Sequence, residues 1–162
     1  MPVNQDACRL GISTLLQQEL ELAERFETLL GDEYRVIASR DIAALEQLIG
    51  DKARLLEQLA GLEQERTALL KGAGFETGHP GMTHCLRWCD PQQQITPLWQ
   101  RLQSQARICD NLNRKNQQLV DLCSRHAREA LHLLRGEEPG QNTYQADGES
   151  DHHHSSRSLA KA

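Results

Sequence analysis

The chain has 162 residues, 38% of them hydrophobic and only 4% aromatic, and a formal net charge of −5. That length allows one domain with a real core, and the scarcity of aromatics leaves the core to Leu, Ile and Ala, which suits packed helices better than a β-sandwich. A small negative charge excludes general nucleic-acid binding. No apolar run approaches the roughly 18–20 residues of a membrane span, so stable membrane insertion is not expected.

The segment Met1–Leu16 lacks a basic stretch followed by an apolar one, which argues against a Sec-type signal. Five cysteines, Cys8, Cys85, Cys89, Cys109 and Cys123, are an odd number at irregular spacing and make a poor disulfide framework. Both features point to a reducing, cytoplasmic setting. Charge is unevenly spread: residues 1–71 hold 13 acidic and 8 basic side chains, whereas residues 97–135 hold 3 and 7. The first half should therefore attract the later helix and pack on it.

From about Asp6 to Ala38 the apolar residues recur at helical spacing. Leu15, Leu22, Leu29 and Val36 form one row spaced by seven, and Leu16, Ala23, Leu30 and Ile37 form the next. Ile12 and Phe26 widen the stripe, which predicts one long helix with a broad apolar face. Gly31 costs it about 1 kcal/mol relative to Ala without shifting its phase. Ser39-Arg40-Asp41 reads as a short turn with Asp41 as N-cap. A second helix then runs to about Lys71 and stops at Gly72 and Gly74. Its stripe is Leu48, Leu55, Leu62 and Leu69, flanked by Leu45, Leu56, Leu59 and Leu70. A turn so short folds the two helices into an antiparallel hairpin; the alternative is one continuous helix through residues 39–41.

Residues 72–96 break the pattern with Gly74, Gly78, Pro80, Gly81 and Pro91, leaving room for a short helical segment around Met82–Trp88. A third long helix starts near Pro91 or Pro97, each preceded by a capping residue, and ends at Gly136. Its inner face would carry Leu98, Leu102, Ala106, Cys109, Leu112, Leu119, Val120, Cys123, Ala127, Ala130 and Leu134. Residues 137–162 hold almost no large apolar groups and cannot fold alone. The expected fold is an all-α antiparallel bundle of three long helices over residues 1–136, with a short helical segment in the connection and a flexible C-terminal tail over 137–162.

Candidates for chemistry are few. His79, His84, Cys85 and Cys89 are soft ligands close together, but one short segment lacks the two separated ligand pairs of a zinc site, and Cys85 and Cys89 also read as small buried apolar residues. No metal or other cofactor is expected. His152, His153 and His154 read as part of a polar tail. Acidic side chains lie on helix outer faces as partners of Arg and Lys, for example Glu21 with Arg25, rather than as an acid–base pair. No nucleophile has a base beside it and no Gly-rich phosphate loop is present, so the chain does not read as an enzyme. Asn113 and Asn116 lie mid-helix, with Asn116 in phase with the apolar row, where a buried Asn would set helix register; exposure of both fits the spacing equally well. Tyr144 and Leu159 are isolated apolar residues in the tail, either linker or anchors that order on a partner.

The hairpin ending Leu62-Glu63-Gln64-Glu65-Arg66, the segment Asn113-Arg114-Lys115-Asn116, the helix end Leu133-Leu134-Arg135-Gly136 and the tail Tyr144-Gln145-Ala146-Asp147-Gly148 together resemble the FlgN-type flagellar export chaperones. The resemblance covers nearly the whole chain in order and length, and departs from the family at Gln117, where Gly is frequent. It implies a cytoplasmic chaperone that binds the helical termini of hook-associated proteins and delivers them to the type III export gate. Substrate contacts are then expected from the C-terminal part, at Leu131, Leu134, Tyr144, Ala146, Asp147 and Leu159, with Leu131 and Leu134 fitting a core position as well. Rival readings are a non-enzymatic coiled-coil adaptor or stalk of the export apparatus, a zinc domain at His84 and Cys85, and a homodimer through the row Leu48–Leu69.

Overall fold

The computed structural model describes residues 4–136. Among them are four helices and no strand: α1 Gln5–Ser39, α2 Ile42–Gly72, α3 Gly78–Cys89 and α4 Thr96–Arg135. The class is all-α, as the leucine-rich composition predicts. The Asn4 side chain caps α1 by accepting from the Asp6 N–H at 3.1 Å, and the helix runs through Gly31 without interruption. It ends at Arg40, whose left-handed backbone (φ 59°) returns its N–H to the carbonyl of Ile37. One residue later the Asp41 carboxylate accepts from the Ala44 N–H at 3.0 Å and opens α2. The chain thus reverses at residues 40–41 and forms a hairpin, not one continuous helix.

Cross-helix bonds give the register. Glu33 meets Lys52 and Glu19 meets Arg66, so α2 runs antiparallel to α1. Against α4 the numbers rise together: Ala23 with Cys109 and Leu30 with Asn116, so α4 runs parallel to α1. Twelve residues of α1 are buried, against three of α2 and two of α4. The central helix is therefore α1, whose two rows of apolar residues leave a stripe wide enough to serve more than one neighbour.

Two apolar cores form along it. The first gathers Cys8, Ile12, Leu16, Leu70, Met82, Cys85, Leu86, Cys89 and Ile95, where α1, the end of α2 and α3 meet. The second holds Phe26, Leu29, Leu30, Leu55 and Cys109. Between α3 and α4, Asp90 accepts from the backbone N–H groups of Gln94, Ile95 and Thr96 and from the Thr96 hydroxyl, at 2.7–2.9 Å. Of the two starts that the prolines suggest, α4 takes the one at Thr96, and Pro91 lies in the turn that Asp90 organises.

The chain forms one compact unit through Cys123 and a second from Ser124. Two expectations need correction. The helical spacing puts Ala106, Val120, Ala127, Ala130 and Leu134 on the inner face of the last helix, yet all five are exposed. The acidic residues are not confined to outer faces either, because Glu19 and Glu33 are buried.

Candidate functional site

Three stretches of α4 differ in what surrounds them. Its first turn is held by the Asp90 carboxylate. Burial pulls that carboxyl upward, but the N–H groups of Thr96, Gln94 and Ile95 and the Thr96 hydroxyl outweigh burial and hold it below the usual carboxylate range. Close by, Trp99 lies under the Arg66 guanidinium, 5.1 Å from its ring centre. Arg66 donates from Nε to both Glu19 oxygens at 3.0 and 3.1 Å. Burial pushes the Glu19 carboxyl up, Arg66 pulls it back, and Glu63 adds a smaller upward push; the net direction is up.

The middle of α4 carries a buried polar network. Asn116 Nδ2 donates to the Leu30 carbonyl at 2.9 Å and to Glu33 Oε2 at 2.7 Å. Lys52 Nζ donates to both Glu33 oxygens at 3.0–3.1 Å and to Asn113 Oδ1 at 2.8 Å. One carboxylate thereby joins α1, α2 and α4 at a single level. A buried Asn is tolerated only where such partners exist. Asn116 is the buried member of the Asn pair and Asn113 is the exposed one. Beside this network, Tyr34, Leu112, Lys115, Gln118, Leu119 and Leu122 line an open cleft of about 550 Å³.

The last turns of α4 are different. Leu131 is 51% exposed, Leu133 67% and Leu134 84%. At 100° per residue, positions 131, 133 and 134 point to more than one side of a helix, so a single neighbour could not cover all three. The spacing of Leu131, Leu133 and Leu134 carries that signal in the sequence, and it singles out Leu133, which lies off the inner-face row. Tyr144, Ala146, Asp147 and Leu159 lie outside the described residues.

The sulfur and imidazole groups of the connection separate. His79 and His84 are exposed on α3, whereas Cys85 and Cys89 are buried. The residue that joins those two thiols is Cys8 of α1, with its Sγ 3.6 Å from that of Cys85. Nothing in local spacing could have brought in a group 77 positions away.

The FlgN protein family matches residues 11–152. The chain belongs to that family. No curated protein and no solved structure matches it. The family is one of flagellar export chaperones. Among the described residues, no helix is long and apolar enough to cross a membrane.

Proposed function

We propose that this FlgN-family chain is a cytoplasmic, non-enzymatic chaperone for hook-associated flagellar proteins. It binds their amphipathic helical termini and hands them to the export gate. The observation that carries this reading is the run of exposed leucines, Leu131, Leu133 and Leu134, on the last turns of α4. Large apolar groups held in water on a formed helix favour association, because covering them releases apolar surface at about 25 cal/mol per Å². A partner helix laid along Leu131 and Leu134, three positions apart and so on one side of α4, would use spaced apolar anchors. Tyr144, Ala146, Asp147 and Leu159 would extend the contact with further anchors.

The test is calorimetric binding of purified hook-associated proteins to the full chain, to a version ending at Gly136, and to a variant with Leu131, Leu134, Tyr144 and Leu159 changed to Ser. Binding by the full chain that weakens at least about tenfold in both others, some 1.4 kcal/mol, supports the reading. Unchanged binding by the quadruple variant sinks the assigned contacts, and no binding by the full chain sinks the chaperone reading for this cargo.

A second reading, an adaptor or self-associating hairpin, is favoured by one feature of α2. Ile42, Ile49 and Leu56 are spaced by seven and are 65%, 55% and 47% exposed. A row of that kind is a coiled-coil seam without its partner. Light scattering of the full chain and of Ile49→Ser separates a dimer that the change dissolves from a monomer that it leaves alone.

A further inference from the structure

Cys8, Cys85 and Cys89 have no part in the chaperone reading, yet they are the most enclosed cluster of reactive groups among the described residues. Their side chains are 0–2% exposed, and the three Sγ atoms all lie within 4.8 Å of one another. Cys85 and Cys89 stand one turn apart on α3, which places both on the same face, and Cys8 approaches from the first turns of α1. The arrangement is braced on several sides. The Gln5 amide donates to the Trp88 carbonyl and ties the start of α1 to the end of α3. Gly81 lets α3 settle against the preceding loop, since a Cβ there would lie 1.7 Å from the Glu76 carbonyl oxygen. Asp90 anchors the other end of α3 through its four hydrogen bonds.

We infer that Cys8, Cys85 and Cys89 form a three-sulfur site for one soft, thiophilic metal ion, with Cu(I) the best match. Metal–sulfur bonds of about 2.3 Å set three sulfurs in a plane at roughly 4 Å from one another, a spacing this triangle reaches with sub-ångström shifts. The donor set is entirely thiol, which selects Cu(I) or zinc over hard cations. Zinc asks for four ligands in a tetrahedron. Among the described residues no His, Asp or Glu joins these three thiols as a further ligand. The buried side chains clustered with them, Ile12, Leu16, Leu70, Met82, Leu86 and Ile95, carry no nitrogen or oxygen. Asp90 adjoins Cys89, but its oxygens are committed to the turn. A three-coordinate soft ion therefore fits better than zinc. Each sulfur that binds exchanges an S–H bond for a metal–sulfur bond, and its proton leaves to solvent. The metal would clamp the start of α1 to α3.

The test uses the full chain, reduced and free of oxygen, with Cu(I) supplied as its coloured bicinchoninate complex. The expected result is withdrawal of one equivalent of copper by the native chain and by Cys109→Ser and Cys123→Ser. Cys85→Ala and Cys89→Ala should bind at least about 100-fold more weakly, since even outer-shell changes cost 10–100-fold. X-ray absorption of the copper-loaded native chain should show three sulfur neighbours, a readout that stands even where a variant fails to fold. Failure of the native chain to withdraw copper would overturn the site. Retention of full uptake by Cys85→Ala and Cys89→Ala, or nitrogen-dominated coordination pointing to His152–His154, would overturn it as well.

Discussion

Helix α4 is one continuous element, but its two ends obey different rules. Up to Cys123 it is stitched to its neighbours by specific bonds: Arg101 to Glu24, Gln105 to Glu27, Cys109 to the Ala23 carbonyl, and Asn116 to Leu30 and Glu33. Between Ser124 and Arg135 large apolar side chains stay exposed, with Leu131, Leu133 and Leu134 half exposed or more. The offset of 86 positions in the Ala23–Cys109 and Leu30–Asn116 pairs puts Ile37, the last buried residue of α1, level with Cys123. The paired length of α1 runs out there. The lesson is that apolar spacing along a helix states what could be buried, and the length of the neighbour decides what is.

If this contrast is right, the stitched part should answer in stability and the exposed end in binding. The largest stability effect is expected at the buried Glu19–Arg66 pair. Glu19→Ala leaves a guanidinium enclosed without its carboxylate and should cost about 3–5 kcal/mol by urea denaturation. The double change Glu19→Leu with Arg66→Leu should recover most of that, because the charge and its partner leave together. A double variant as unstable as the single one would show that the Arg66–Trp99 stacking, not the ion pair, matters most there.

Next is Asp90→Ala, expected to cost about 2 kcal/mol through loss of hydrogen bonds to a charged acceptor. Its native carboxyl titrates below the value of about 4 found in unfolded chains. Asp90 therefore adds stability above about pH 4, and this is lost as pH falls through its lowered native value. Asp90→Asn should flatten that acid limb in thermal melts between neutral and acid pH. Glu19 acts in the opposite sense, since its raised value withdraws stability as pH climbs through it.

Asn116→Ala should cost about 1–2 kcal/mol, as Glu33 loses its buried donor and keeps only the part-buried Lys52. Asn113→Ala, removing an exposed acceptor, should cost less than about 0.5 kcal/mol. Equal effects at the two positions would mean that the network does not depend on burial. The smallest stability effect is expected from the triple change of Leu131, Leu133 and Leu134 to Ser, within about 0.5 kcal/mol, with cargo affinity falling at least about tenfold. A large loss of stability in that variant would show that the end of α4 is core after all.

Much of the frame could be read from residues alone. The rows Leu15–Val36 and Leu16–Ile37 marked the burying face of α1, and Asp41 marked the turn. The resemblance through Asn113–Asn116 and Tyr144–Gly148 led to the family that the match over residues 11–152 establishes. Asn116 was legible as a polar residue in an apolar row, but not as a donor to Glu33, because its partner lies 83 positions away. The same holds for the Arg66 guanidinium over Trp99, and for the meeting of Cys8 with Cys85.

What the sequence determined by itself is therefore local: helix lengths, caps, breaks and the face each helix prefers to bury, all set by interactions within a few residues. Only the tertiary structure decided which charges went inside, which cysteines met, and how far along α4 a neighbour could reach. Those outcomes depend on contacts between distant parts of the chain, where the energy of burial is shared among helices and no single segment carries the answer.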